Sequence, residues 1–366
     1  MNRRNFLASA AAVPAAGLGH SVAAAGAGGR LETEIKRLNL KHTWTTTMSS
    51  SEYRDTLHVR YTRGGITGRG EGAPIPRYKE DARSARRAAE ILRQVMENED
   101  PFHFTKMGNI FTVGVRGEYA GKAALDIALM DWVGQKLGLP LYKFYGLDPT
   151  QAPATSFSIG IDTPEITKQK VREADAYLIL KVKVGLATDE ATINAVRSAT
   201  SKPIRVDANE GWKTKEEALE KIQWLQGKGV QLVEQPMPAE AIKETRWLRE
   251  RVRIPIIADE ACQHPRDLVK LKDVYDGVNI KIDKVGGINE AYRMLMMARA
   301  LGMHTMIGCM VSSSCSITAA AHLASLASYV DLDGNLLISN DPYKGVRVEK
   351  GKLVLPPGPG LGLTVA

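Results

Sequence analysis

Three carboxylates recur in the second half of this chain at the ends of short apolar runs: Asp207, Glu234 and Asp259. Each is followed by polar or turn-forming sequence (Asp207-Ala208-Asn209, Glu234-Gln235-Pro236, Asp259-Glu260). A single strand-end Asp often caps a helix or anchors a loop. Three in order, closing successive strands, instead converge and offer oxygen ligands only. Such a set suits Mg²⁺, which keeps waters or takes substrate oxygens, and the absence of His or Cys at these positions argues against zinc. Three lysines accompany them. Lys181 and Lys183 lie two apart on one strand and point the same way, while Lys281 comes from a run four further along. An ordinary lysine, with a pKa of about 10.4, is a poor base at neutral pH. A neighbouring cation and a nearby metal both disfavour the ammonium, so Lys181 and Mg²⁺ would bring Lys183 toward a useful range. Two amines facing each other across a metal-bound carboxylate can remove an α-proton from one face and return one to the other. That chemistry is 1,1-proton transfer, a racemisation or epimerisation; the plainer alternative is that the lysines neutralise the acidic cluster. Asp331-Leu332-Asp333 adds two carboxylates on one face, which repel each other unless a cation sits with them.

The elements that must position these groups show a period. Apolar, β-branched runs occur at Thr155–Ile161, Leu178–Val184, Ile204–Asp207, Gln231–Glu234, Ile254–Asp259, Val278–Ile282, His304–Ile307 and Tyr329–Asp333, with enough chain between neighbours for one helix. Eight such repeats predict a (β/α)₈ barrel, with reactive side chains at the C-terminal ends of its strands. Upstream, Leu31–Leu40 and Thr56–Tyr61 read as strands, and Asp81–Met96 and Tyr119–Leu137 as amphipathic helices. The expected organisation is an α+β capping domain over residues 30–150, the barrel over 151–335, and a C-terminal segment over 336–366 that returns to the cap.

The chain has 366 residues, 44% of them hydrophobic, enough for two domains with sizeable cores. Its formal charge of +8 falls to about +6 without Arg3 and Arg4 of the leader described next, and charges of both signs are interspersed with only 6% aromatics. No nucleic-acid partner is expected. Residues 1–29 open Met1-Asn2-Arg3-Arg4-Asn5-Phe6-Leu7 and continue Ala- and Gly-rich, without further charge, through small residues at Ala23-Ala24-Ala25. This reads as a twin-arginine export leader with a cleavage site, too weakly apolar to span a membrane. A periplasmic mature protein with no membrane association is the expectation. Cys262, Cys309 and Cys315 have no short paired spacing and predict no disulfide framework.

Leu180-Lys181-Val182-Lys183-Val184-Gly185, Val206-Asp207-Ala208-Asn209-Glu210-Gly211-Trp212, Val233-Glu234-Gln235-Pro236, Ile257-Ala258-Asp259-Glu260 and Asn279-Ile280-Lys281 resemble, in order and spacing, the enolase superfamily and its muconate-lactonizing-enzyme subgroup. Ala123–Leu129, Gly138-Leu139-Pro140-Leu141-Tyr142 and Pro359-Gly360-Leu361-Gly362 extend the resemblance over nearly everything after the leader. It implies Asp207, Glu234 and Asp259 as ligands of one Mg²⁺ per subunit, Lys183 and Lys281 as the two acid/base catalysts, and Lys181 as an electrostatic assistant. The Asp331/Asp333 pair resembles that of the dipeptide epimerases, where such carboxylates hold the substrate's α-ammonium. The resemblance therefore implies a Mg²⁺-dependent dipeptide epimerase acting through an enediolate at the C-terminal residue, and leaves homo-oligomerisation open. Met48 stands where Ala-Glu epimerases carry an arginine for the substrate's acidic side chain, with Arg54 nearby. Met48 predicts an apolar or uncharged second residue rather than Glu. The alternatives are N-succinylamino-acid racemase, o-succinylbenzoate synthase or cycloisomerase activity, or a non-catalytic periplasmic binding barrel.

Overall fold

The computed structural model describes residues 28–366; the leader expected over 1–29 lies outside them but for Gly28 and Gly29. Eight short parallel strands form one sheet: β4 (Ser156–Ile159), β5 (Ile179–Lys183), β6 (Ile204–Asp207), β7 (Val230–Glu234), β8 (Ile256–Ala258), β9 (Gly277–Lys281), β10 (His304–Gly308) and β11 (Tyr329–Asp331). They pair in sequence order, and a parallel bridge between Thr155 and Val330 brings the last strand back to the first. All eight expected runs are therefore strands of one barrel. They are buried on both faces, which is why they read as nearly continuous apolar runs rather than alternating ones.

The cap is an antiparallel sheet of β1 (Arg30–Thr45), β2 (Ser50–Arg63) and β3 (Ile66–Gly72), backed by helices α1 (Ala82–Ile91), α2 (Arg93–Asn98), α3 (Phe104–Gly114) and α4 (Tyr119–Leu137). Four features differ from the sequence reading. The strand expected to end at Leu40 runs on to Thr45, and the one expected to start at Thr56 begins at Ser50, so the connection shrinks to a tight turn closed by the Thr46 N–H donating to the Ser49 carbonyl at 3.0 Å. The single helix expected over Asp81–Met96 breaks at Leu92 into α1 and α2. Strand β3 and helix α3 were not foreseen. Finally, α4 is not amphipathic: Ala120 through Gly134 are all buried, because the helix runs between the cap sheet and the barrel's own helices.

Glycine explains how α4 comes so close. A Cβ on Gly68, Gly70 or Gly72 would stand 2.0, 1.9 and 1.9 Å from the carbonyl oxygens of Ala128, Ala124 and Ala120 respectively. Glycine on alternate positions of β3 thus meets alanine on successive turns of α4, and backbone packs on backbone.

Several buried polar contacts fix cap to barrel. Fully buried Glu71, on β3, accepts from Ser313 N at 2.9 Å, Ser316 N at 3.2 Å and the Ser313 hydroxyl, at the start of the helix Ser314–Ala321. Its charge sits at the positive end of that helix. Arg77 pairs with Glu210 at 2.7 Å, and the Thr47 hydroxyl at the tip of the β1–β2 hairpin donates to the Asn209 carbonyl at 2.7 Å. The tail reaches α4, where Leu361 N donates to Asp131 Oδ1 at 2.8 Å. Among the described residues no helix is long and apolar enough to cross a membrane.

Candidate active site

Strand register sets the level of the reactive groups. Lys183 is paired with Asp207, Asp207 with Glu234, and Gly308 with both Lys281 and Asp331. One ring of residues at the C-terminal mouth thus carries most of the chemistry, and Asp259 follows immediately after β8. Above them lies a cavity of about 360 Å³, whose floor carries Lys181, Lys183, Asp259, Lys281, Asp331 and Asp333. The cap closes its other side with Trp44, Met48, Arg54 and Ile75. That volume falls in the range of small-molecule pockets, about 300–1,000 Å³.

Ligand oxygens of Asp207, Glu234 and Asp259 lie within 4.8 Å of one another, and all three residues are buried. The lysines interlock with them. Lys183 Nζ donates to Asp207 Oδ2 at 2.6 Å, and Lys281 Nζ donates to Asp259 Oδ2 at 2.7 Å. Lys181 Nζ stands 2.7 Å from Asp331 Oδ2, 2.8 Å from Glu234 Oε2 and 3.2 Å from Asp207 Oδ2. Lys183 and Lys281 thus enter from strands four apart in the ring and bracket the acidic cluster.

Charge is unevenly compensated. Burial pushes the Asp207 carboxyl up, but Lys183 and Lys181 outweigh it and bring it down to about 2. Burial likewise opposes ionisation of Asp259, yet Lys281 and Lys284 hold it well below the usual carboxylate range. Glu234 goes the other way: burial and the neighbouring Asp207 push it up to about 7. Its Oε2, although 2.8 Å from Lys181, has no aligned hydrogen-bond donor. Burial and Asp259 push Glu260 up to about 8. Burial resists the charge on Lys281, but Asp259 and Glu234 raise its pKa above the ordinary lysine value. An orphaned buried carboxylate oxygen, three converging carboxylates and no nitrogen or sulfur donors fit a Mg²⁺ ion.

The structure brings together every residue singled out from the sequence. Asp331 accepts from Ser156 Oγ and Lys181 Nζ, both at 2.7 Å. Among the described residues, Asp333 accepts from the Ser158 backbone N–H at 2.6 Å, with Cys309 Sγ 3.9 Å away. Asp333 has no ion-pair partner among the described residues, and burial followed by the Asp331 charge pushes it up to about 7. Cys262 and Cys315 are buried free thiols and Cys309 a half-buried one.

Three supporting residues had no role assigned from sequence. Lys284 Nζ donates to Asp259 Oδ1 at 2.7 Å and to the Asn279 carbonyl at 2.8 Å. Its place one helical turn after Lys281 was the available signal. Asn279 Nδ2 donates to Glu234 Oε1 at 2.8 Å, and Gln235 Oε1 accepts from Asp259 N at 2.9 Å. Lys284 and Asn279 thus hold the carboxylates of Asp259 and Glu234, and Gln235 holds the Asp259 backbone.

Two family models match the chain. Residues 166–366 match the enolase C-terminal domain-like model, and residues 32–146 match the mandelate racemase/muconate lactonizing enzyme N-terminal domain. An L-Ala-D/L-Glu epimerase of Bacteroides thetaiotaomicron is 39% identical over 99% of this chain and 99% of its own. An L-Ala-D/L-amino acid epimerase of Pedosphaera parvula is 43% identical over 90% of this chain and 96% of its own. Among solved structures, the dipeptide epimerase of Cytophaga hutchinsonii complexed with Mg and D-Ala-L-Val superimposes with a TM-score of 0.87 at 28% identity, covering 92% of this chain and 95% of that one.

Proposed function

This chain belongs to the mandelate racemase/muconate lactonizing enzyme family of the enolase superfamily, and from that membership we propose that it is a Mg²⁺-dependent dipeptide epimerase inverting the α-carbon of the C-terminal residue. The observation that carries this reading is the pair of lysines bracketing a buried triad of carboxylates, with the cation-free Asp333 at the same mouth. Relatives of this chain act on dipeptides, and one is complexed with Mg and a dipeptide.

Asp207, Glu234 and Asp259 would hold the metal. When bound, Mg²⁺ supplies a divalent charge that acidifies the substrate's α-proton and compensates the carboxylates now shared among the lysines. Lys183 and Lys281 stand on opposite sides of the cluster, so one neutral amine takes the α-proton from one face. The opposite ammonium returns a proton to the other face of the resulting enediolate. The carbon is inverted, and the two lysines finish with their protonation states exchanged, which solvent then resets. Lys181 adds a fixed positive charge where the substrate carboxylate gains electron density. Asp333, with Asp331, receives the α-ammonium. The expectation of an apolar or uncharged second residue rests on Met48, which lines the cavity together with Trp44, Ile75 and Arg54.

The test is deuterium incorporation at the C-terminal α-carbon of a dipeptide library incubated with enzyme and Mg²⁺ in D₂O, read by mass spectrometry. Exchange in free-amine dipeptides supports the reading. Exchange confined to N-succinyl amino acids would replace it with a racemase of another subgroup. Export through the leader is part of the proposal, and recovery of a shortened mature N-terminus from periplasmic extract checks it.

A further inference from the structure

Two residues past Lys281 lies a carboxylate that stands outside the ligand triad. Asp283 is fully buried. Strand β9 ends at Lys281, and the chain turns at once into the single helical turn Ile282–Val285, closed by Gly286 at φ 97°. Lys281 and Lys284 reach from this corner to Asp259, whereas Asp283 turns to the junction with the cap. There its Oδ1 accepts from Ala73 N at 2.8 Å and its Oδ2 from the Ser316 hydroxyl at 3.1 Å. The Ser316 N–H in turn serves Glu71 at 3.2 Å, so cap strand, corner and barrel helix meet at one buried point. A buried backbone N–H such as that of Ala73 is costly to leave without an acceptor.

Ala73 begins the segment that roofs the cavity. Ile75, Pro76, Arg77 and Tyr78 line it from the cap side, and Pro74 and Pro76 each lock a backbone angle, which stiffens the roof. One end of this segment is tied by Arg77 to Glu210 at 2.7 Å. Glu210 follows β6, the strand paired with the one that carries Lys183. The other end is tied to the Lys281 corner by the bond between Ala73 and Asp283. Each of the two bases thus has its own tie to the roof.

We propose that Asp283 is a positioning residue for one base alone: through the Ala73 N–H it fixes the roof over Lys281, so that proton transfer on the Lys281 face depends on it and transfer on the Lys183 face does not.

This role rests on the two-base epimerase reading, and one experiment separates the two. Asp283→Leu keeps the bulk of the side chain and loses both acceptors, while Asp283→Asn keeps an acceptor. Burial pushes the Asp283 carboxyl up to about 7, so the uncharged carboxamide is a mild change. Wild type and both variants are incubated with Mg²⁺ in D₂O and each epimer of a turned-over dipeptide, and loss of the α-proton and inversion are followed separately by proton NMR and chiral chromatography. The epimer that Lys281 deprotonates is the one whose exchange disappears in Lys281→Ala. In Asp283→Leu its exchange should fall by about 10- to 100-fold. The opposite epimer should keep its exchange but invert more slowly by a similar factor, because Lys183 still removes the proton while Lys281 returns it late. Asp283→Asn should stay close to wild type. Exchange and inversion that fall in the same proportion for both epimers overturn the proposal, since a weakened fold would do that, and so does an Asp283→Asn variant as impaired as Asp283→Leu. If Asp283→Leu does not fold, Ala73→Pro removes the donor instead and is read in the same way. A wild type that exchanges no dipeptide α-proton overturns the epimerase reading and this role with it.

Discussion

Asp333 offers a pH dependence that can be worked out in advance. Its carboxyl stands at about 7 because it is buried beside ionised Asp331 with no cation of its own. It can hold an ammonium only when ionised, so binding competence is present above that value and is lost as pH falls through it. The dipeptide's amine loses its charge above about 7.9, the ordinary value for an α-amino group. The product of the two ionised fractions peaks near pH 7.5, and falls roughly 20-fold by pH 5.5 and roughly 20-fold again by pH 9.5. The assay is kcat/KM for a free-amine dipeptide across this range at saturating Mg²⁺, since that ratio reports free enzyme and free substrate. In Asp333→Asn the acid limb should disappear, while KM at pH 7.5 rises about 10- to 100-fold through loss of a charge-assisted contact. An acid limb that survives unchanged in Asp333→Asn would assign it to another group and refute the ammonium role. A flat wild-type profile between pH 5.5 and 7.5 would refute the raised carboxyl itself.

Lys183→Ala and Lys281→Ala should each lower epimerisation by at least about 1,000-fold, with one variant retaining exchange of the α-proton from a single epimer; proton NMR in D₂O distinguishes the two, and full turnover in either removes the two-base mechanism. Asp207→Asn should weaken Mg²⁺ binding in a calorimetric titration, since a third of the carboxylate charge is lost; an unaltered isotherm takes Asp207 out of the ligand set. Glu71→Gln keeps the shape of the buried group that receives Ser313 and Ser316 but removes its charge from the helix start. It should cost about 1–2 kcal/mol and lower Tm by a few degrees, and an unshifted melting curve would show that the cap is not held there.

Much of the barrel was legible because its signal is local and repeated. Each strand is a short run buried on both sides, and the ligand carboxylates end those runs, so position along the chain translates directly into level in the ring. The cap was harder, for reasons of packing. β3 reads Ile66-Thr67-Gly68-Arg69-Gly70-Glu71-Gly72, a glycine content that argues against a strand unless a helix lies on it, as α4 does. α4 shows no polar face because both sides are covered, a fact of tertiary contact that periodicity does not carry. In the site, the convergence of the carboxylate triad and the lysines was readable from type and spacing. The setting of Arg54 was not: its strand and its place on the cavity wall depend on register across β1 and on the loops of the barrel.

The β2 strand has a further consequence. Its inner half is clamped in the cap, with Leu57, Val59 and Tyr61 wholly buried, while its outer end carries Arg54 above the reacting groups. That end lines the cavity from the cap side. Repacking at the clamped end would tilt the free end and change which peptide is admitted, while the proton-transfer machinery, seated on other strands, stays in register. Selection and catalysis can therefore drift separately in such a molecule. A lineage could acquire a new peptide diet through changes in the cap's interior, out of contact with any substrate.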